Sequence, residues 1–273
     1  MSVIYLVRHG QASFGAADYD VLSELGHRQA ALVGAELRAR GVRVDLAVSG
    51  TLRRQRETAA TALAVPPLAV PPAAGLAAAG ANEAGAAAVN GAGAIPGAGT
   101  GGAPGADVAV AGWSGDVEID GRWNEYDQDW IINRHADVGG PPGAVVRPSP
   151  SRGISSRAFQ GLLDVALSEW IGGAGSGPGT YAAFSDAVED ALDGLVRRLG
   201  SGGGAVVFSS AGPIAAICGR LLGLRADGII SLNRVMINGS ITKIVSGRSG
   251  TSLISVNEHS HIDAAGREFL SYR

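Results

Sequence analysis

A single cysteine, Cys218, stands among 273 residues, so an intramolecular disulfide framework is excluded. It sits in an apolar segment, residues 214–222, and reads as a small buried hydrophobe. The five histidines are scattered, and with one cysteine no His/Cys/Asp cluster has metal-ligand spacing. Neither a metal nor another cofactor is expected. No apolar stretch reaches the ~18–20 residues that a membrane helix needs. The N-terminus runs directly into an apolar segment and lacks the basic region of a signal peptide. Charged residues are only 17% of the chain and the net charge is −3, which gives no global field toward nucleic acid or an anionic membrane. The expectation is a soluble, cytoplasmic protein. Asn238-Gly239-Ser240 matches a glycosylation sequon, but without a secretion signal it reads as a hairpin turn.

What remains is 46% hydrophobic, enough for one large core or two small ones. Val3–Val7 predicts a buried strand. Ser23-Glu24-Leu25-Gly26 leads into a helix from about His27 to Arg40, with Ala30, Val33 and Leu37 on one face and Gly41 as its stop. Val42–Ser49 reads as a second strand and residues 51–63 as a second helix. From about 64 to 112 the chain is mostly Ala, Gly, Pro and Val, with no aromatic residue and very few charges. This is a low-complexity insertion whose glycines and prolines prevent long regular elements. Residues 116–130 are acidic and aromatic, and Pro141–Pro150 forms a Pro-rich loop. Helices are predicted over Ser155–Trp170 and Tyr181–Leu199, with a Gly-rich link at 172–179. A short buried strand follows at Ala205–Ser209, then a helix at Pro213–Leu222 with Pro213 at its first position. Two β-like runs, Val235–Val245 and Leu253–Asn257, come last. Alternating strands and helices predict an α/β fold with a largely parallel sheet.

Four segments carry chemistry. The strand at Val3–Val7 ends in Arg8-His9-Gly10, which a core strand has no need of. Open α/β sheets place their sites just past the carboxyl ends of strands. In Gly50–Ala59 a helix follows a strand and carries Arg53, Arg54 and Arg56 near its start. Helix N-termini attract anions and arginine binds phosphate bidentately, although such a cluster is equally a solvated helix face. In Arg122–Asp127 the aromatic neighbours of Glu125 can desolvate it and raise its pKa, as a general acid needs; the other reading is a surface carboxylate. Ser209-Ser210-Ala211-Gly212-Pro213 joins a strand to a helix, leaving N–H groups at Ala211 and Gly212 to face an anion.

In this order the four segments resemble the histidine phosphatase superfamily, the phosphoglycerate mutase-like fold. The strand and Arg-His-Gly match at Leu6–Gly10. The helix entry Leu-Thr-x-x-Gly-x-x-Gln-Ala is similar to Leu22–Ala30. Ser-Pro-Leu-x-Arg-Ala-x-x-Thr-Ala is similar to Gly50–Ala59, which aligns its phosphate-binding arginine with Arg54. The acid/base glutamate, often in Leu-Asn-Glu, aligns with Glu125. The resemblance implies a three-layer sandwich, a mostly parallel central sheet flanked by helices, in one domain over residues 1–273 interrupted by the insertion. It also implies a phosphohistidine mechanism on a small phosphorylated substrate, releasing inorganic phosphate. His9 is then the nucleophile and Glu125 the acid and base. Arg8 and Arg54 hold phosphoryl oxygens, Gly10 permits close backbone approach, and Gln11 and Ser13 are lesser phosphate contacts.

One position departs from the pattern. Where active members carry a second histidine in Ser-His-Gly, this chain has Ala211. Losing one preorganised donor typically costs ~2.7–4 kcal/mol, or ~10²–10³ in rate. The substitutes to consider are Ser210, the N–H groups of residues 211–212, and His261 in a segment resembling Asn-x-x-x-His. His259, His27 and His135 read as surface or structural residues. The expectation is a phosphatase for small phosphomonoesters, its activity weakened by Ala211. The alternatives are a phospho-ligand binding or regulatory protein with little catalysis and, less favoured, a phosphoglycerate mutase.

Overall fold

The computed structural model describes residues 1–13, 20–64, 113, 115–139 and 156–272. Most of the Ala/Gly/Pro-rich stretch expected at 64–112, and the Pro-rich loop at 141–150, lie outside the described residues.

Six strands form one mixed sheet in the order β3-β2-β4-β1-β5-β6. β1 (Ser2–Arg8) lies inside it, parallel to β4 (Gly204–Ser209) and antiparallel to β5 (Ile241–Gly247). β2 (Leu46–Ser49) runs parallel to β4 on its other side, and the two-residue β3 (Glu118–Ile119) extends the parallel part. β6 (Gly250–Glu258) pairs antiparallel with β5 at the far edge. The parallel part is therefore β3, β2, β4 and β1, and the last two strands turn back on it.

Strand alternation decides which side chains meet which layer. Ile4 and Leu6 of β1, with Ala205 and Val207 of β4, pack on helices α5 (Tyr181–Leu199) and α6 (Ala211–Leu222). Tyr5, Val7, Val206 and Phe208 face the other way, onto α1 (Glu24–Ala39) and α2 (Arg53–Leu63). Both sheet faces are covered, which is why these strands read as continuous apolar runs. A third apolar cluster joins α3 (Gln128–Gly139), α4 (Ser156–Gly172) and α7 (Ala226–Val235) through Ile131, Ile132, Leu163, Leu167 and Ile230. A short helix, α8 (Ser260–Asp263), follows β6.

Several boundaries differ from the sequence reading, each for a local reason. α1 starts at Glu24 rather than His27, because the Ser23 hydroxyl accepts the Gly26 N–H at 3.0 Å and caps the helix. Gly41 ends it as expected, at φ +62°. α6 begins two residues before Pro213, with Ser210 as N-cap; a proline in the first turn sacrifices no intrahelical bond. The run predicted as strand from Val235 becomes β only at Ile241, and α7, which ends at Val235, was not foreseen. Neither was α3, in the acidic and aromatic segment. The Asn238-Gly239-Ser240 turn exists, with Gly239 at φ +76°, but it joins α7 to β5 rather than two strands of a hairpin. Cys218 is fully buried and its thiol is pushed up to about 12 by desolvation, in keeping with a core role.

Candidate active site

The carboxyl ends of β1, β2 and β4 converge with the N-termini of α2 and α6. His9 follows β1 directly, and its backbone is held on several sides. Its N–H donates to Ser209 O at 2.9 Å, and its carbonyl accepts from Asn238 Nδ2 at 3.1 Å. Gly10 then packs so closely on α1 that a Cβ there would lie 2.3 Å from Gly26 O. The close approach expected of Gly10 is thus to a helix backbone. Its N–H donates to Thr58 Oγ1 at 3.0 Å, and the same hydroxyl donates to Arg54 O at 2.7 Å. One threonine fixes the turn after β1 to the arginine-bearing helix α2.

The two His9 ring nitrogens have different partners. Nδ1 lies 2.7 Å from Gly10 O, and Nε2 lies 3.2 Å from Arg54 Nε. A carbonyl only accepts and a guanidinium only donates, so Nδ1 carries the proton and the Nε2 lone pair points at Arg54. Burial lowers the His9 pKa well below its ordinary value, and the charges of Arg54 and Arg8 push the same way. The ring is neutral at pH 7 with a lone pair aimed into an arginine.

Glu125 behaves in the opposite sense. Desolvation raises its pKa, against the charges of Arg54 and Arg8 and the N–H groups of Gly212 and Tyr126. Its carboxylate accepts from Gly212 N at 3.1 and 3.2 Å, at the start of α6. The Gly212 N–H, read from sequence as facing an anion, therefore faces Glu125. Tyr126 closes the other side, its ring 5.4 Å from that of Trp170 and 5.9 Å from that of Phe184. Asn233 Nδ2 donates to the Tyr126 hydroxyl at 3.0 Å.

Arg8 is buried beside this cluster, but two of its donors serve the backbone: Nη1 bonds Met236 O and Nη2 bonds Tyr272 O at 3.0 Å. Its charge reaches His9 and Glu125 while its guanidinium anchors the chain around residues 236 and 272. Ser210 is fully buried and its hydroxyl accepts from Gln55 Nε2 at 2.9 Å. Ala211 is buried in the apolar cluster under α6. Gln11 holds the start of α1, with Ser23 Oγ donating to its Oε1 at 3.0 Å, and Ser13 N donates to Val21 O. His261 is not brought to the cluster. Its Nε2 donates to Gly239 O at 2.9 Å, and the charges around it are Glu36 and Arg40. The turn at 237–240 comes between His261 and His9, so a phosphate contact from it is not supported. His27 and His135 have exposed side-chain contacts, as expected. Among the described residues no group of three His, Cys, Asp or Glu can hold a metal, and no helix is long and apolar enough to cross a membrane.

Sequence reasoning missed Gln55, Thr58, Asp20 and Asn238. Gln55 is fully buried and ties Trp123 O to Ser210 Oγ, both at 2.9 Å. Polar residues on the buried face of α2, at i and i+3 from Gln55 to Thr58, were the available signal. Asp20 and Asn238 left none.

Residues 4–78 match the model of the histidine phosphatase superfamily (branch 1). The fold is similar to a variant phosphoserine phosphatase from Entamoeba histolytica in complex with phosphoserine: 15% identity, 96% of this chain and 100% of that one, TM-score 0.54. It is similar to a phosphoglycerate mutase from Bacillus anthracis at 16% identity, over 97% and 96% of the two chains, TM-score 0.54. It is also similar to a mycobacterial glucosyl-3-phosphoglycerate phosphatase at 20% identity, over 94% and 98%, TM-score 0.52. At these identities the likeness establishes the fold. The comparison with curated proteins finds no match.

Proposed function

We propose that the chain is a histidine phosphatase superfamily member, as the match over residues 4–78 and the fold support, and that it hydrolyses small phosphomonoesters through a phosphohistidine on His9. The observation that carries this reading is the His9 tautomer: a neutral ring, protonated on Nδ1, with its Nε2 lone pair directed at Arg54. In the first step Nε2 attacks phosphorus and the P–O bond to the leaving group breaks. Protonated Glu125 gives its proton to the departing oxygen, as its raised pKa favours. In the second step the Glu125 carboxylate takes a proton from water, whose oxygen attacks phosphorus and releases His9 and inorganic phosphate. Arg54 supplies positioning and charge, which phosphoryl transfer chiefly requires. Arg8 contributes charge from its anchored position. Phosphoserine and glucosyl-3-phosphoglycerate, named for the similar structures, belong to the same substrate class.

A second reading, a phospho-ligand binding protein with little turnover, is favoured by Ala211 and by the capture of the Gly212 N–H by Glu125. Nothing specific in the site favours a mutase. The test is hydrolysis of p-nitrophenyl phosphate and a panel of phosphorylated metabolites by wild type and His9→Ala. The expected result is vanadate-sensitive turnover that the substitution abolishes. Phosphate binding that survives His9→Ala, with no wild-type turnover at any pH, would instead establish the binding protein.

A further inference from the structure

We infer that Asp20 is a positioning residue for Arg54, setting the edge of the guanidinium that meets the phosphoryl group; this rests on the phosphatase reading for what Arg54 holds. Asp20 uses both carboxylate oxygens. Oδ1 accepts from Arg54 Nη1 at 2.6 Å, and Oδ2 accepts from the backbone N–H of Arg53, the first residue of α2, also at 2.6 Å. The ion pair is mostly enclosed, with the Arg54 side chain 10% and the Asp20 side chain 33% exposed. Asp20 is itself held, because Leu22 N donates to Glu57 Oε2 at 2.8 Å and docks this segment on α2.

The guanidinium is a rigid planar fork, so fixing one nitrogen fixes the direction of the others. Nη1 is the nitrogen on the Cδ side; Nε–H and Nη2 share the opposite edge. Asp20 takes Nη1, and Nε points at His9 Nε2. The Nε–Nη2 edge is thereby turned toward the lone pair that attacks phosphorus, where two parallel N–H groups match two phosphoryl oxygens. The other conceivable role, an internal anion that occupies the phosphate's place, does not fit an Asp20 seated on the opposite edge.

Asp20→Asn separates positioning from helix capping. The asparagine oxygen still accepts the Arg53 N–H, while its amide presents donors to Arg54 and the ion pair is lost. Vanadate binding is measured by calorimetry and turnover by p-nitrophenyl phosphate, with thermal unfolding alongside. The expected result is vanadate affinity weakened about tenfold or more, and kcat/KM lowered to match, with Tm close to wild type. Asp20→Glu recovers part of both. In an Arg54→Ala background Asp20→Asn has no further effect. Unchanged or tighter vanadate binding by Asp20→Asn, or an equal loss in the Arg54→Ala background, would overturn the inference. Wild type that binds vanadate but hydrolyses nothing would overturn the phosphatase reading and leave Asp20 standing. Wild type that does not bind vanadate would overturn both.

Discussion

Gly212 donates its backbone N–H to both carboxylate oxygens of Glu125, at 3.1 and 3.2 Å, a contact that a side chain at this position would displace. A Cβ on Gly212 would lie 2.0 Å from Glu125 Oε1 and 2.6 Å from Tyr126 Cε1. Gly212→Ala keeps the N–H and pushes the carboxylate away. The expected outcome is a kcat lower by about 10²-fold, the scale of a misplaced catalytic group, with KM changed much less. Steady-state kinetics on p-nitrophenyl phosphate check it; a kcat within threefold of wild type would contradict the assigned contact.

The pH profile follows from two opposed shifts. In the proposed mechanism His9 attacks as the neutral ring, and its lowered pKa keeps it neutral to well below pH 6.5. In the same proposal Glu125 is protonated when the leaving group departs, and its raised pKa keeps the proton to higher pH than an ordinary glutamate. kcat/KM therefore falls as pH rises through the Glu125 pKa, at higher pH than an ordinary glutamate would give. Glu125→Gln removes that alkaline limb along with most of the rate. An alkaline limb that survives Glu125→Gln would show that Glu125 is not the acid.

Thr58 joins two parts of the site through one hydroxyl, accepting from Gly10 N and donating to Arg54 O. Thr58→Val is nearly isosteric but leaves the buried Gly10 N–H without its acceptor. A loss of ~1–3 kcal/mol in unfolding free energy is expected, measured by urea titration, together with a lower kcat.

Ala211 lies at the first turn of α6, one residue before the Glu125 contact. Ala211→His returns a donor where the superfamily pattern has one. Turnover on the same substrates is expected to rise about tenfold or more, part of the ~10²–10³ that such a donor supplies. An unchanged rate with an intact fold would mean that another group already fills that role.

The layered sheet was legible because β1 and β4 are apolar on both faces, and because Arg-His-Gly marks the end of β1. Motif order singles out His9, Arg54 and Glu125, and the fold brings the three together, Arg54 Nε on His9 Nε2 and Glu125 on Gly212 N. What escaped depends on distant pairing. Arg8 looks from sequence like a second phosphate clamp; only the fold brings Met236 O and Tyr272 O to it. His261 matches a pattern in sequence, but the turn at 237–240 takes its imidazole. Asp20 belongs to no motif, and its ion pair with Arg54 appears only in the fold. The apolar residues Ile229 and Ile230 suit strand or helix alike, so α7 was not separable from the β-like run after it.

β1 sits between β4 and β5, whose residues pair with it only across some two hundred positions of chain. During synthesis Val3–Val7 must therefore wait, apolar and without an edge partner, until residues 204–209 and 241–246 exist. Such long-range pairing makes folding slow and exposes the strand to wrong partners. The Ala/Gly/Pro-rich stretch lengthens the intervening chain, but loop closure grows only by ~0.6 kcal/mol per doubling of length. Its burden falls on the time spent unfolded more than on final stability. The expected signature is a slow refolding phase in which recovery of phosphate binding lags behind helix formation, and a demand for chaperone protection of β1 during synthesis.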